Sequence, residues 1–361
     1  MNLPIQTVLT FLLALPILAP AQDIPENLKV ENLAAWCIVP FDAKKRGPEE
    51  RAKMLVELGI KRSAYDWRAN HVAEFEEEIL QYQKHGIEFF AFWSSHPEAF
   101  ALFEKYDLHP QIWHILGSPS EGTQQEKVSA AADLLEMLAQ RSAGLGCKLA
   151  LYNHGGWGGE PANLVAVCQK MRQRGHDHVG IVYNWHHGHG HIADWAQSLE
   201  LMKPYLHCLN LNGMNDGAKP KILSLGHGKH DASMLKTLIK SGYDGPVGIL
   251  DHMENVDAAE ALQANRDGLQ WLLSGGKGEK PKPAGASLSA PPVMTSSISK
   301  PILIEGPTGF GKALAGGAVI EANQGWQEPP ITVEFQVKLE NPSGFNIFVA
   351  SETKDTNAHW E

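Results

Sequence analysis

Residues 148–184 read KLALYNHGGWGGEPANLVAVCQKMRQRGHDHVGIVYN, two apolar β-rich runs with one helical pattern between them. The first run, 148–153, leads into the glycine-rich segment Gly155-Gly156-Trp157-Gly158-Gly159. A helix is predicted over 161–174. Pro161 suits the first helical position, where no amide hydrogen is needed, and Gly175 suits the residue just past a helix end. The second run, 179–184, is a strand pattern again. A strand, a helix and a strand in succession imply parallel strands joined by a right-handed crossover.

The unit repeats on both sides. Upstream, strands are predicted over 34–41, 61–67, 87–93 and 110–116, and helices over 48–58, 71–85, 97–106 and 124–143. Downstream, helices are predicted over 192–205, 232–240 and 258–273, and strands over 206–211 and 247–251. Gly59, Gly86, Gly144, Gly146, Gly242 and Gly275 stand where these helices should stop. Eight strands alternating with eight helices, all within residues 30–275, is the content of a closed (β/α)8 TIM barrel. A doubly wound open sheet is the alternative, but it rarely carries eight regular units.

Both ends of the chain leave this rhythm. Within residues 1–21 an apolar run from Val8 to Leu18 is followed by Ala19-Pro20-Ala21, the pattern of a secretory signal peptide. The expected location is therefore periplasmic or secreted. The run is too short for a comfortable bilayer span, so an uncleaved leader is the one route to a membrane. Residues 276–300 are rich in Gly, Pro, Ser and Lys and read as a linker. Residues 301–361 alternate in a β fashion (PILIE, AVIEAN, ITVEFQVKLE) and read as the start of an antiparallel β-sandwich. They are fewer than the roughly 100 residues of a complete one.

The 361-residue chain is 43% hydrophobic and 20% charged, ordinary for a globular protein, with a formal net charge of −10. That balance argues against nucleic acid as partner, because phosphate binding needs a basic footprint. Four cysteines, Cys37, Cys147, Cys168 and Cys208, form no CxxC pair; in an exported chain they could form disulfides, but buried thiols are favoured at this length. The segment Gly306-Pro307-Thr308-Gly309-Phe310-Gly311-Lys312 imitates a phosphate loop. Ala313 replaces the hydroxyl residue such a loop needs, and a strand pattern follows instead of a helix.

In a barrel of this kind, chemistry sits at the carboxyl ends of the strands. This sequence places Trp36, Trp93, His114, Asn153, His154, Asn184, His187, Asn210, Asn212 and Asp251 there, with Asp66, Arg68, His186 and His252 close by. Amides and imidazoles both donate to and accept from hydroxyl groups. Indole faces suit sugar rings. Such a mouth fits a small carbohydrate or polyol better than an apolar ligand. The run from Asn184 to His191 is also a candidate for metal binding, with His187 and one neighbour as the inward pair.

Three local patterns carry a family resemblance: Tyr152-Asn153-His154-Gly155-Gly156; Asn184-Trp185-His186-His187; and Gly226-His227-Gly228-Lys229-His230-Asp231 followed by Gly242-Tyr243-Asp244-Gly245. Residues 34–274 resemble the xylose isomerase-like superfamily, which includes sugar phosphate isomerases, epimerases and type-two apurinic endonucleases. The C-terminal strands resemble the concanavalin- or laminin-G-like domain joined to secreted members. The resemblance implies a divalent metal (Mn, Co, Zn or Mg) held by two Glu, one Asp and one His from strands five to eight. The matching positions here carry Tyr152, Asn184, a residue near Asn210, and Leu250 or Asp251, so an altered metal site is expected.

The expected function is proton transfer next to a carbonyl by an isomerase-, epimerase- or lyase-type enzyme. His154 or His187 would serve as acid/base and Asp251 as second base or orienter. Trp36, Trp93, His114, Asn153, Asn184, Asn210 and Asn212 would hold the substrate. The alternatives are a carbohydrate-binding barrel that has lost its metal, and an inert scaffold.

Overall fold

The computed structural model describes residues 24–285, together with the strand backbones of Ile302–Glu305 and Lys312–Ala315. The expected leader at 1–21, most of the linker and most of the C-terminal β domain lie outside the described residues.

The elements run β1 (Leu33–Trp36), α1 (Pro48–Glu57), β2 (Arg62–Tyr65), α2 (Phe75–His85), β3 (Glu88–Trp93), α3 (Pro97–Lys105), β4 (Gln111–Ile115) and α4 (Gln124–Gly144). They continue with β5 (Leu149–Tyr152), a one-turn α5 (Gly156–Gly159), α6 (Pro161–Gln173), β6 (Val179–Asn184), α7 (Trp195–Met202), β7 (Leu206–Leu211), α8 (Asp231–Lys240), β8 (Val247–Leu250) and α9 (Ala258–Leu273). The strands pair in parallel in chain order, and β8 returns to β1 with Leu33 opposite Val247 and Trp36 opposite Leu250. The sheet is therefore a closed TIM barrel, and the open-sheet alternative falls.

Because strand side chains alternate between faces, the barrel has two cores. Ala34, Trp36, Ala64, Phe90, Trp113, Ala150, Tyr152, Val182, Cys208 and Leu250 fill the interior. Leu33, Ala35, Tyr65, Ile112, Leu149, Leu151, Ile181, Leu209 and Ile249 point outward into the helix layer. All four cysteines are free and buried, as favoured above.

Several predicted boundaries move. The first strand stops at Trp36 instead of residue 41, because Cys37 takes a left-handed φ of 60° that ends the pleat. The helix expected over 71–85 opens with a 3-10 stretch, Ala69–Glu74, before α2 begins. The helix expected over 192–205 is α7 followed by a 3-10 turn, Lys203–Tyr205, since Pro204 has no amide hydrogen with which to continue the α ladder.

Two glycines mark close approaches. A Cβ on Gly248 in β8 would lie 1.9 Å from Asn210 Oδ1, so that amide can lie across β8 inside the barrel. A Cβ on Gly268 in α9 would lie 1.8 Å from the Leu225 carbonyl oxygen. That contact seats α9 against the loop after β7, where Asn265 bonds both the Leu225 amide and the Leu250 carbonyl.

The first residues of the expected linker lie on the barrel. Ala284 N donates to Ser224 Oγ (3.0 Å), Gly285 N to Glu260 Oε1 (2.9 Å), and the His227 ring meets the Pro281 carbonyl (2.9 Å). Beyond, β9 (Ile302–Glu305) pairs antiparallel with β10 (Lys312–Ala315), so Lys312 opens a strand where a phosphate loop would open a helix. The phosphate-loop reading is thereby removed.

Candidate functional site at the barrel mouth

The inward residues at the ends of β1, β3 and β5 are aromatic. Trp36 and Trp93 have ring centroids 5.5 Å apart, Trp93 and Tyr152 lie edge to face at 4.5 Å, and Trp36 and Tyr152 are 6.1 Å apart. Trp113 packs edge-on to Trp36 at 4.7 Å. Trp36 is buried while Trp93 is half-buried, so Trp93 is the indole that a solute meets. This is a wall with π faces, held by the interior core.

Imidazoles continue the wall. His154 follows β5 with its ring 6.4 Å from Trp93 and 4.5 Å from His187. The chain leaves the sheet after Asn184 into a 3-10 turn, Trp185–His187, so strand alternation no longer separates neighbours. His186 and His187 consequently lie 3.7 Å apart, and His252 lies 5.6 Å from His186. His186 is the inward partner of His187, and both of its ring nitrogens are buried without a hydrogen-bond partner among the described residues.

Burial keeps these rings neutral. Desolvation, followed by the charges of Lys221 and neighbouring histidines, pushes His187 down to about 2 and His186 well below the usual range. His252 is pushed down to about 4 by burial and then by Lys221 and Arg68. His154 is lowered by burial and by Lys221. At neutral pH the cluster therefore offers uncharged rings, each with one donor and one acceptor.

Below the rings lie two amides. Asn184 is 0% exposed, and neither its Oδ1 nor its Nδ2 has a partner among the described residues. Asn210 is 1% exposed; its Oδ1 accepts only a long Cys208 Sγ contact (3.6 Å) and its Nδ2 has no partner there. Buried polar groups are normally satisfied, and each one left unpaired costs about 1–3 kcal/mol. At one end of the barrel these atoms leave hydrogen-bonding capacity that the described residues do not use.

A second polar group lies on the β1–β2–β8 side. Asp66 and Asp251 are 2% and 0% exposed, and each has one carboxyl oxygen without a partner. Their other oxygens accept from Val39 N (3.3 Å) and Met253 N (3.2 Å). Burial pushes Asp66 up to about 7 and Asp251 up to about 9. At neutral pH Asp251 thus holds its proton, a state that suits the expected role of orienter better than that of second base. Cys37, Ser94 and His252, immediately beyond β1, β3 and β8, all take left-handed φ near 60° (60°, 61° and 59°). Such backbone strain in non-glycine residues clusters at functional sites.

Asp251 has a consequence for stability. The unfolded chain loses this proton near pH 4, whereas the folded chain keeps it to about 9. Between those values the unfolded state binds fewer protons, so this group lowers stability as pH rises through that window. Asp251→Asn should therefore match the parent in melting temperature near pH 4 and exceed it at pH 8.5. A difference independent of pH in thermal unfolding scans would contradict this placement of the carboxyl.

Three expected substrate residues are not free to serve. His114 shares the face of Ile112, since Trp113 occupies the interior, and so faces the helix layer. The Asn153 amide donates to Asn184 O (3.0 Å) and accepts from Asn184 N (2.7 Å), fastening β5 to the end of β6. The Asn212 amide donates to Gly213 O and Lys221 O and accepts from Leu223 N, folding the loop after β7 over the mouth. Asp231 completes that loop by accepting from Met214, Gly226 and Gly228 amides, the physical content of the Gly-x-Gly-x-x-Asp pattern.

Sequence reasoning left Tyr152, Asp66 and Lys221 without a role. The inward parity of Trp36 and Asn184 could have flagged Tyr152 as a wall residue. Nothing local marks Lys221, whose carbonyl is held by the Asn212 amide in the loop after β7.

The positions implied for a divalent metal do not suit one. Tyr152 is a buried phenol whose proton is held tightly, Asn184 and Asn210 are neutral, Leu250 is apolar, and burial pushes Asp251, the alternative to Leu250, up to about 9. Among the described residues no group of three His, Cys, Asp or Glu side chains is arranged to hold a metal ion. Hard cations need anionic oxygen ligands.

No family model matches the sequence, and no curated protein matches it. Solved structures do match. The apo form of a 3-keto-D-glucoside 4-epimerase from E. coli, YcjR, shares 16% identity with a TM-score of 0.52, over 67% of this chain and 98% of that one. The likeness is one of barrel fold. The IolI protein with a bound zinc atom matches at 14% identity and TM-score 0.53, over 69% of this chain and 100% of that one. A D-tagatose 3-epimerase-like protein matches at 13% and 0.52, over 68% and 98%.

Proposed function

We propose that this barrel is an exported, carbohydrate-active enzyme that transfers a proton next to a carbonyl, as isomerases, epimerases and lyases do, without the family's usual metal ligands. The observation that carries the proposal is the set of buried, unpartnered polar atoms on Asn184, Asn210 and His186 beneath the Trp36–Trp93–Tyr152 wall. These groups match the hydroxyls and carbonyl of a sugar, and the aromatic faces match its C–H faces. The fold shared with a 3-keto-D-glucoside 4-epimerase supports the same substrate class.

The chemistry divides among the residues. Removing a proton beside a carbonyl needs a base near neutrality and donors for the developing oxyanion. A His187 nitrogen pushed down to about 2 is a weak base, but its neutral N–H is suited to the oxyanion. His154, nearer the rim and less desolvated, is the imidazole placed for acid/base work. Asp66 exchanges its proton in the neutral range, and Asp251, holding its own, returns one to the intermediate.

A second reading, a sugar-binding barrel without turnover, is favoured by the neutral groups at the metal positions. The test uses protein purified without a histidine tag. Bound Mn, Co, Zn and Mg are measured, and aldose, ketose and keto-glycoside conversion is assayed. His187→Ala should abolish turnover with the melting temperature unchanged. Activity that survives this change places the chemistry elsewhere, and sugar binding with no turnover of any substrate selects the second reading.

A further inference from the structure

The chain carries a formal charge of −10, yet the charges at its barrel mouth do not follow that sign. Several carboxylates around the mouth are already committed. Asp42 pairs with Arg46, and Asp257 with Lys44 and Arg46. Glu160 and Asp194 hold His191, and Asp216 holds Lys229 and His230. The two buried carboxyls, Asp66 and Asp251, sit where desolvation favours their neutral forms.

Two cations remain. Lys221 and Arg68 are exposed, and neither has a carboxylate within ion-pair distance among the described residues. Their positions are nonetheless fixed. The Lys221 carbonyl is held by the Asn212 amide at 2.8 Å, and the next residue, Ile222, packs on the barrel interior. The charge of Lys221 lowers His154, His186, His187, His189 and His252, so its loop lies on the imidazole side of the mouth. The Arg68 guanidinium lies 5.4 Å from the Phe41 ring centre, and Phe41 in turn stacks on His252 at 4.1 Å. Both cations act on His252, so they flank one region of the mouth.

We infer that the mouth selects an anionic sugar, one bearing a carboxylate, with Lys221 and Arg68 receiving the carboxylate while Asn184, Asn210 and His186 bind hydroxyl groups. This rests on the reading of the mouth as a sugar site and names the substrate class. Free cations above neutral donors leave a ligand carboxylate without a like-charge opponent, and a guanidinium can accept it in two parallel hydrogen bonds. A neutral sugar would leave both cations without an anionic partner.

The experiment compares matched pairs by titration calorimetry on the full chain: D-glucuronate against D-glucose, and D-galacturonate against D-galactose. The acids should bind at least about tenfold more tightly, the size of one charge-assisted hydrogen bond. Lys221→Met and Arg68→Gln should each reduce that preference about tenfold. Lys240→Met, at the far end of the barrel on α8, should leave it unchanged. Rising salt should erode it. Equal affinity for acid and neutral sugar, or a preference untouched by the two mouth variants, overturns the inference and leaves the sugar site standing. Binding of neither class overturns both.

Discussion

Asn184→Leu is expected to stabilise the barrel while removing its ligand affinity. Asn184 is fully buried with both side-chain polar atoms unpartnered among the described residues, and leucine keeps the same branched set of four side-chain heavy atoms. Deleting an unsatisfied amide from the interior should raise the unfolding free energy by about 1–3 kcal/mol. Two lost hydrogen bonds to a sugar should weaken binding by about a hundredfold. Opposite signs in the two measurements, denaturant unfolding and sugar titration, distinguish a ligand-binding amide from a structural one. If Asn184→Leu destabilises the fold, the amide has a structural partner and the site is misplaced.

The second large effect lies in the helix layer. Arg51 on α1 and Glu78 on α2 form an ion pair 2% and 0% exposed. Burial pushes the Glu78 carboxyl up despite the guanidinium, and the attraction of Glu78 overcomes burial to keep Arg51 charged. Glu78→Ala would leave a charged guanidinium in the interior. Removing one partner of a buried pair costs about 3–5 kcal/mol. For a domain of this size that is a fall of roughly 10 °C in melting temperature. The double variant Arg51→Met/Glu78→Leu should recover most of it, since apolar side chains fill the space without a desolvation cost. A double variant no more stable than Glu78→Ala would mean that the charge itself is not the source of the loss.

The barrel was legible because its signals are local and repeat. Pro48, Pro97 and Pro161 open helices, and Gly59, Gly86 and Gly175 take the left-handed conformation where helices stop. The site was legible only by position. Trp36, Trp93, His154, His187, Asn184 and Asn210 do meet at the mouth. His114 does not, because its strand parity turns it outward. Asn153 and Asn212 are at the right height but spend their amides on backbone. A side chain's type and strand position are written in the sequence; which hydrogen bonds it has already made are not.

The sequence by itself determined the number of strands, their parallel order, and the polar residues that stand at the carboxyl ends of those strands. All of these follow from periodicity, capping residues and residue identity along short stretches. The tertiary structure decided which of those groups are free, and in what protonation state. His186 and His252 join the cluster through turns that break strand alternation, and Lys221 arrives on a loop folded by Asn212. Gly268 shows the same division. Helix propensity favours alanine there, yet the Leu225 carbonyl leaves no room for a methyl group. Propensity acts between neighbours in the chain, whereas desolvation, charge and close contact are set by residues that only folding brings together.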